Sequence, residues 1–382
     1  MSWTPPKRAG LIASIALALL LTSALAAWAT RSWGLTGLAV GFLFGFAMQR
    51  AAFCGSAIFS SVVLLRDPRG LIGVLLAISV SMLGFAALAG AGWVQVSPKP
   101  FKLLPALVGG ALFGSGMVLA GGCVSGSLFK AAEGRLNSML AVVGIAIGAN
   151  MGVVGLLRPV RLWLGKATAG LSLAPSIDQA LGIPYLALAI PVGTVGLGTG
   201  WWLWRRFGRR AATAPESSSS LAPAPSTPTP TRPWLARGWS FALAGVVLGV
   251  TGWLAYPASA AAGRNYPLGS AESVMMALSG AVGGRLPLGG WMLWLGLGVI
   301  LGSSFSTWQR GELRLRSADP ATLTVAFIGG VMTGLGAVIG MGCFIGHILS
   351  GTALLSFQSL LFGVVVLLTN WATTILYLRG LR

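Results

Sequence analysis

The sequence specifies an all-α polytopic membrane protein, and three observations carry that reading. Of 382 residues, 55% are apolar and 9% charged, with a mean hydropathy of +0.82, whereas soluble domains carry about 25% charged residues. Fifty-six glycines and fifteen tryptophans suit helices packed closely in a bilayer, with indole rings at headgroup level. Ten apolar runs are long enough to cross, at roughly 17–25 residues each. They lie near 10–30, 33–49, 71–96, 104–121, 138–157, 184–204, 240–256, 288–304, 321–341 and 357–378. Some of them are broken, so the expectation is nine or ten spans. The formal charge of +19 comes from basic residues spread between apolar runs. That placement orients helices in a membrane and excludes nucleic acid as the partner.

Taken in order, the first run follows Lys7 and Arg8 and ends in Ala24-Leu25-Ala26, which also resembles a signal peptide. The next run follows almost at once, which favours a retained helix. A first membrane half is expected over 1–204. Residues 205–238 then carry Glu216-Ser217-Ser218-Ser219-Ser220 and an Ala/Pro/Thr stretch from Pro223 to Pro233, too little apolar surface to fold. Arg205, Arg206, Arg209, Arg210, Arg232 and Arg237 stand there against Glu216 alone. The positive-inside rule puts this linker, and the N-terminus six crossings earlier, in the cytoplasm. A second membrane half is expected over 239–382.

The two halves repeat one another. LVGGALFGSGMVLAGGCVSGS at 107–127 and FIGGVMTGLGAVIGMGCFIGH at 327–347 agree at eight of 21 positions with a constant offset of 220. Phe53-Cys54-Gly55-Ser56 likewise stands against Pro267-Leu268-Gly269-Ser270, with leucine in place of cysteine. Five crossings between the copies make the repeat inverted, a design that places a substrate site at discontinuous helices near the midplane. Gly110-x₃-Gly114 and Gly330-x₃-Gly334 are packing stripes rather than chemistry.

Each of the three cysteines, Cys54, Cys123 and Cys343, follows a long apolar run and precedes a short one, at a glycine-rich break. Long helix, break and half-helix is the pattern of a re-entrant segment, tolerated at membrane depth only where it is buried in protein or lines a polar path. A half-helix starting at the break offers free N–H groups and a positive dipole end, an anion site. Ser56, Ser125 and Ser127 are placed to cap those helices or to offer hydroxyls. A lone cysteine in a membrane helix is ordinarily a small buried hydrophobe. Three cysteines, each at such a break, argue for a path instead.

Cys343 and the single histidine, His347, have an i, i+4 spacing that could ligate zinc. The other cysteines lack close-spaced partners, so no metal and no cofactor is expected, and His347 reads as a group lining the path or as a satisfied structural histidine. None of the seven acids lies mid-span; this disfavours a carboxylate-driven antiporter or cation channel and suits an anionic substrate. Glu133 and Glu272 read as interfacial caps, and Lys130 and Arg135 as anion-attracting or snorkelling groups.

The three motifs Phe53-Cys54-Gly55-Ser56, Gly121-Gly122-Cys123-Val124-Ser125-Gly126 and Gly340-Met341-Gly342-Cys343-Phe344-Ile345-Gly346-His347, with the two-half layout, resemble the YeeE/YedE family of bacterial sulfur-transport membrane proteins. Characterised members take up thiosulfate. The resemblance implies an hourglass in a bacterial inner membrane, with Cys123 toward the outside, Cys54 near the middle and Cys343 toward the cytoplasm as relay points. Gly55, Ser56, Gly122, Ser125, Leu268, Gly342 and His347 are further path candidates. A TusA-like sulfur carrier is the partner implied on the cytoplasmic side. A membrane sulfurtransferase using a cysteine persulfide would need an activated thiolate, for which only Cys343 has a candidate neighbour, His347. A channel for small neutral or anionic solutes, built from two half-helices, is the other alternative. No P-loop motif is present, so ATP would have to be hydrolysed by another chain.

Overall fold

The computed structural model describes Thr22 and residues 33–167, 174–208, 238–283 and 290–380. The expected first helix at 10–30 and most of the 205–238 linker lie outside them. Among the described residues there are helices and two isolated bridges but no strand, and nine helical segments are long and apolar enough to span a membrane.

The first copy comprises α1 (Thr36–Arg50), α2 (Gly55–Leu65), α3 (Arg69–Gly90), α4 (Leu103–Leu119), α5 (Val124–Ala132) and α6 (Leu136–Val153). Two short helices, α7 (Arg158–Ala167) and α8 (Ile177–Leu181), lead to α9 (Tyr185–Phe207). The second copy runs through α10 (Phe241–Ala261), α11 (Ala271–Val282), α12 (Trp291–Arg310), α13 (Pro320–Ile339), a π-helical turn at Ile345–Gly351, and α14 (Phe357–Gly380).

Close glycine contacts fix the helix directions. Gly37, Gly41 and Gly45 of α1 meet Trp291, Leu295 and Val299 of α12 in that order, so the two run parallel. Gly73 meets Phe241 near the starts of α3 and α10, and Trp253 Nε1 donates to the Val80 carbonyl farther along both. Gly109 of α4 meets Gly340, and Gly116 meets Thr333, so α4 and α13 are antiparallel. The face at which α9 ends and α10 begins is the connection face; α1 runs toward it and α10 away from it. The second copy is therefore inverted, as the count of five crossings implies. Packing respects that symmetry: α1 lies on α12 as α10 lies on α3, and α4 lies on α14 as α13 lies on α6. The glycine stripes serve this packing, for side chains at Gly330 and Gly334 would strike the backbone of Ala141 and Ile145.

Each long helix of a broken pair ends in the same turn. The residue after the C-cap is left-handed at Ala52 (φ 49°), Gly121 (69°), Gly263 (82°) and Met341 (68°). Its N–H bonds the carbonyl three residues back, and at Ala52, Gly263 and Met341 the following N–H closes the longer ring of a Schellman motif: Phe53 to Met48, Arg264 to Ser259 and Gly342 to Ala337. Glycine adopts this conformation without strain, whereas alanine and methionine do so at a cost. Such a turn stops a long helix and turns the chain into the short helical segment that follows it.

Candidate functional site

Every cysteine lies two residues beyond one of these left-handed positions: Cys54 after Ala52, Cys123 after Gly121, Cys343 after Met341. Cys54 and Cys123 are also the N-caps of half-helices, and Cys343 directly precedes Phe344, the N-cap of the π-helical turn. The carbonyls of Cys54, Cys123 and Cys343 accept the first helical bonds, from Ile58, Ser127 and His347 at 2.9, 2.7 and 2.9 Å. The stop signal of one helix and the start of the next thus hold each thiol at the tip of a positive dipole end.

The tips meet. Cys54 and Cys123 are 0% exposed and Cys343 1%, and all three are free thiols. Cys54 and Cys123 face one another beside Gly126, where an added methyl would strike Cys54 Sγ. Cys123 Sγ lies 4.0 Å from Ser125 Oγ, which lies 3.4 Å from Ser270 Oγ. Ser270 in turn lies 3.2 Å from Cys343 Sγ, toward which its backbone N–H also points at 3.4 Å. One buried line therefore joins the three thiols through two hydroxyls. Ser270 is the N-cap of α11, so all four half-helix starts contribute to it.

Cys343 opens onto a cavity of about 400 Å³ on the face opposite the connection face, lined also by Lys99, Arg161, Arg264, Tyr266 and Glu272. Arg264 pairs with Glu272 at 3.1 Å. Lys99 donates to the Met341 carbonyl and lies 4.8 Å over the Tyr266 ring. Burial lowers the Lys99 ammonium to about 8, opposed by the nearby Cys343 and Glu272 and assisted by Arg264. Arg161 keeps a buried Nε without a partner. Three cations against one carboxylate make this chamber attractive to anions.

The other candidates fall into place around this line. Gly342 and Leu268 line the cavity. Gly55 lies against the Phe344 ring, where no side chain would fit, and Gly122 packs against Ser127. Ser56 donates to the Met117 carbonyl at 2.8 Å and caps no helix. His347, 0% exposed, bonds Ser359 and the Gly340 carbonyl at 2.9 Å each and stacks on Phe362. These contacts brace the break behind Cys343. Lys130 donates to the Gly121 carbonyl at 2.6 Å, and Glu133 is shared by Arg135 and Gln49.

Two expectations change. The register that sets Leu268 against Cys54 is displaced, because Ser270 holds the N-cap that Cys54 holds in the first copy. The loop from Arg264 to Ser270 is longer than its counterpart, so matching the Gly-Ser pairs misaligns the tips. The two orientation arguments also conflict. The Cys343 chamber lies opposite the face bearing Arg205 and Arg206, so a cytoplasmic linker and a cytoplasmic Cys343 exclude each other. The cations Lys99, Arg161 and Arg264 escape sequence reading because they come from three separate connections.

Known proteins align with the chain over nearly its whole length. Residues 50–372 match the family model described as sulphur transport. The thiosulfate transporter TsuA of Spirochaeta thermophila is 31% identical over 350 residues, covering 88% of this chain and 96% of that protein. TsuA of Escherichia coli is 30% identical over 356 residues, covering 91% and 96%. The probable transporter YedE of Escherichia coli is 32% identical over 118 residues, 30% of this chain and 29% of its own. These relatives are named as transporters and not as enzymes, and the nine spans give the same role a physical basis. The chain is a multi-pass membrane transport protein and belongs to the sulphur transport family.

Proposed function

We propose that this protein carries thiosulfate across a bacterial inner membrane along Cys343, Cys123 and Cys54. The observation that carries this reading is the buried line of three thiols at converging half-helix starts, reached from a basic chamber. Thiosulfate has a hard, sulfonate-like end that suits N–H and O–H donors, and a soft terminal sulfur. Neutral thiols are weak donors, so they hold that sulfur loosely, and weak serial sites are what conduction requires.

Arginines at the connection face argue for that face being cytoplasmic. On that orientation the chamber is the outer entrance: Cys343 comes first, and Cys123 with Cys54 comes last, the reverse of the order the family resemblance implies. A TusA-like carrier would then collect sulfur at the arginine-bearing face. The halves 1–204 and 239–382 act as one body, with 205–238 as a tether.

Thiosulfate-dependent growth of a sulfur-uptake-deficient bacterium expressing this chain is the direct test. Growth is expected with the wild-type chain, and Cys54→Ala, Cys123→Ala and Cys343→Ala should each abolish or strongly impair it at normal membrane levels. Three well-inserted alanine variants that grow like wild type would return the cysteines to packing. Uptake of doubly labelled thiosulfate as an intact ion favours transport, whereas persulfide found by mass spectrometry on the purified protein would favour the sulfurtransferase.

A further inference from the structure

We propose that Ser270 is a fourth station of the substrate path, a hydroxyl that binds the oxygen-bearing end of the anion between Cys123 and Cys343. The proposal rests on the thiosulfate reading above. Four half-helix starts meet at the centre, and three of them present thiols. The fourth presents Ser270, 3% exposed, whose Oγ lies 3.2 Å from Cys343 Sγ and 3.4 Å from Ser125 Oγ. Its own carbonyl accepts from Ser273 Oγ at 2.6 Å, which fixes the tip.

The line from Cys343 to Cys123 runs through Ser270 and Ser125. An anion moving between the thiols must separate these groups and take over the hydrogen bonds they now share. Sulfonate-type oxygens are strong acceptors for O–H, and such bonds to a charged group exceed neutral ones. A soft sulfur gains little from a hydroxyl. Alternating thiol and hydroxyl therefore matches an anion that carries one soft sulfur and several hard oxygens, the two ends held by different groups at once. The N-terminus of α11 adds its dipole behind Ser270, and Lys99 and Arg264 lie in the chamber beyond it.

The test compares thiosulfate uptake by Ser270→Ala, Ser270→Thr, Ser273→Ala and Cys343→Ala in the full chain, each normalised to its amount in the membrane. Ser270→Ala is expected to raise the half-saturating concentration by about tenfold or more, the scale of one lost hydrogen bond to a charged group, with a smaller change in maximal rate. Ser270→Thr keeps the hydroxyl and should recover most of that loss. Ser273→Ala, which loosens the same tip without removing the donor, should stay near wild type. Wild-type half-saturation in Ser270→Ala alongside lost uptake in Cys343→Ala would overturn this station and leave the thiol path standing. Uptake retained by Cys343→Ala would remove Cys343 from the thiol path and overturn this station with it. Should Ser270→Ala fail to insert, Ser270→Cys carries the same test, because a thiol fills the space without a hard donor. Half-saturation unchanged in Ser270→Cys overturns the proposal.

Discussion

The two copies build the same frame and furnish it differently. In the first, both half-helix tips carry thiols, Cys54 and Cys123, packed beside Gly126 with no room for a methyl group. In the second, the tips carry Ser270 and Cys343, and the matching glycine, Gly346, stands in a looser setting. A Cβ there would meet only the Leu268 carbonyl and Lys99 Nζ at 3.7 Å and Cys343 Sγ at 3.9 Å. On the proposed path, the difference teaches where selectivity and entry would reside. A tight, doubly thiol-lined tip pair suits the narrowest point, while an open pair beside a basic chamber suits capture. Two equivalent breaks even share a device: the carbonyl of the left-handed residue accepts from a lysine, Gly121 from Lys130 and Met341 from Lys99.

The largest expected effect comes from exchanging that looseness. Gly126→Ala forces a methyl against Cys54 Sγ in a packed interior, where overpacking costs about 1–3 kcal/mol, and should cut thiosulfate uptake by roughly tenfold or more. Gly346→Ala should leave uptake within about twofold, because 3.7–3.9 Å is ordinary contact. Equal sensitivity of the two glycines, read by labelled uptake at matched membrane levels, would erase the distinction between the tip pairs.

A second difference lies in the cation at each break. Lys99 faces Arg264, Glu272, Tyr266 and Cys343 in the chamber, and its ammonium is lowered to about 8, chiefly by burial. Below that pH it carries its charge and attracts an anion; above it the charge is lost. Uptake should therefore fall severalfold between about pH 7 and 9, the change centred near 8. Lys99→Arg stays charged throughout and should flatten the profile, while any decline due to thiol ionisation would persist in that variant. A profile identical in wild type and Lys99→Arg removes Lys99 from anion capture.

The third comparison concerns backbone strain. Gly121 and Met341 occupy equivalent left-handed positions, at φ 69° and 68°, where a side chain costs about 1–2 kcal/mol. Met341→Gly should therefore stabilise the protein by up to about 1 kcal/mol after the added unfolded-state entropy is deducted, and Gly121→Ala should destabilise it by a similar amount. Thermal unfolding in detergent reads both signs. Opposite shifts for the two variants support the repeat alignment at these positions.

These cases show what the sequence could reveal. Apolar run, break and short apolar run is a local pattern, so the nine described spans, the breaks at Cys54, Cys123 and Cys343 and the inversion were legible. The left-handed turn that makes the break at Cys54 was not legible, because an alanine such as Ala52 leaves no compositional mark of that conformation. Ser270 was obscured by a longer loop and by a Gly-Ser pair that drew the alignment two residues early. Lys99, Arg161 and Arg264 belong to three connections whose meeting is a tertiary event, invisible to periodicity.

The smallest effect is expected where the two copies are joined. α9 and α10 flank the same helix: Gly200 of α9 packs on Leu76 of α3, and Phe241 at the start of α10 packs on Gly73. The ends to be bridged are therefore about 20 Å apart, two helix diameters. Removing residues 212–231 leaves about 13 residues between Phe207 and Phe241, which can extend to about 40 Å. The composition of the removed segment offers little apolar surface for packing, and the arginines at 205, 206, 209, 210, 232 and 237 are all retained. Uptake by the shortened protein should stay within about twofold of wild type, since loop-closure entropy changes only slowly with length. Complete loss of uptake with normal insertion would mean that 212–231 docks a partner or gates the path, and the two copies could then no longer be treated as a self-sufficient pair.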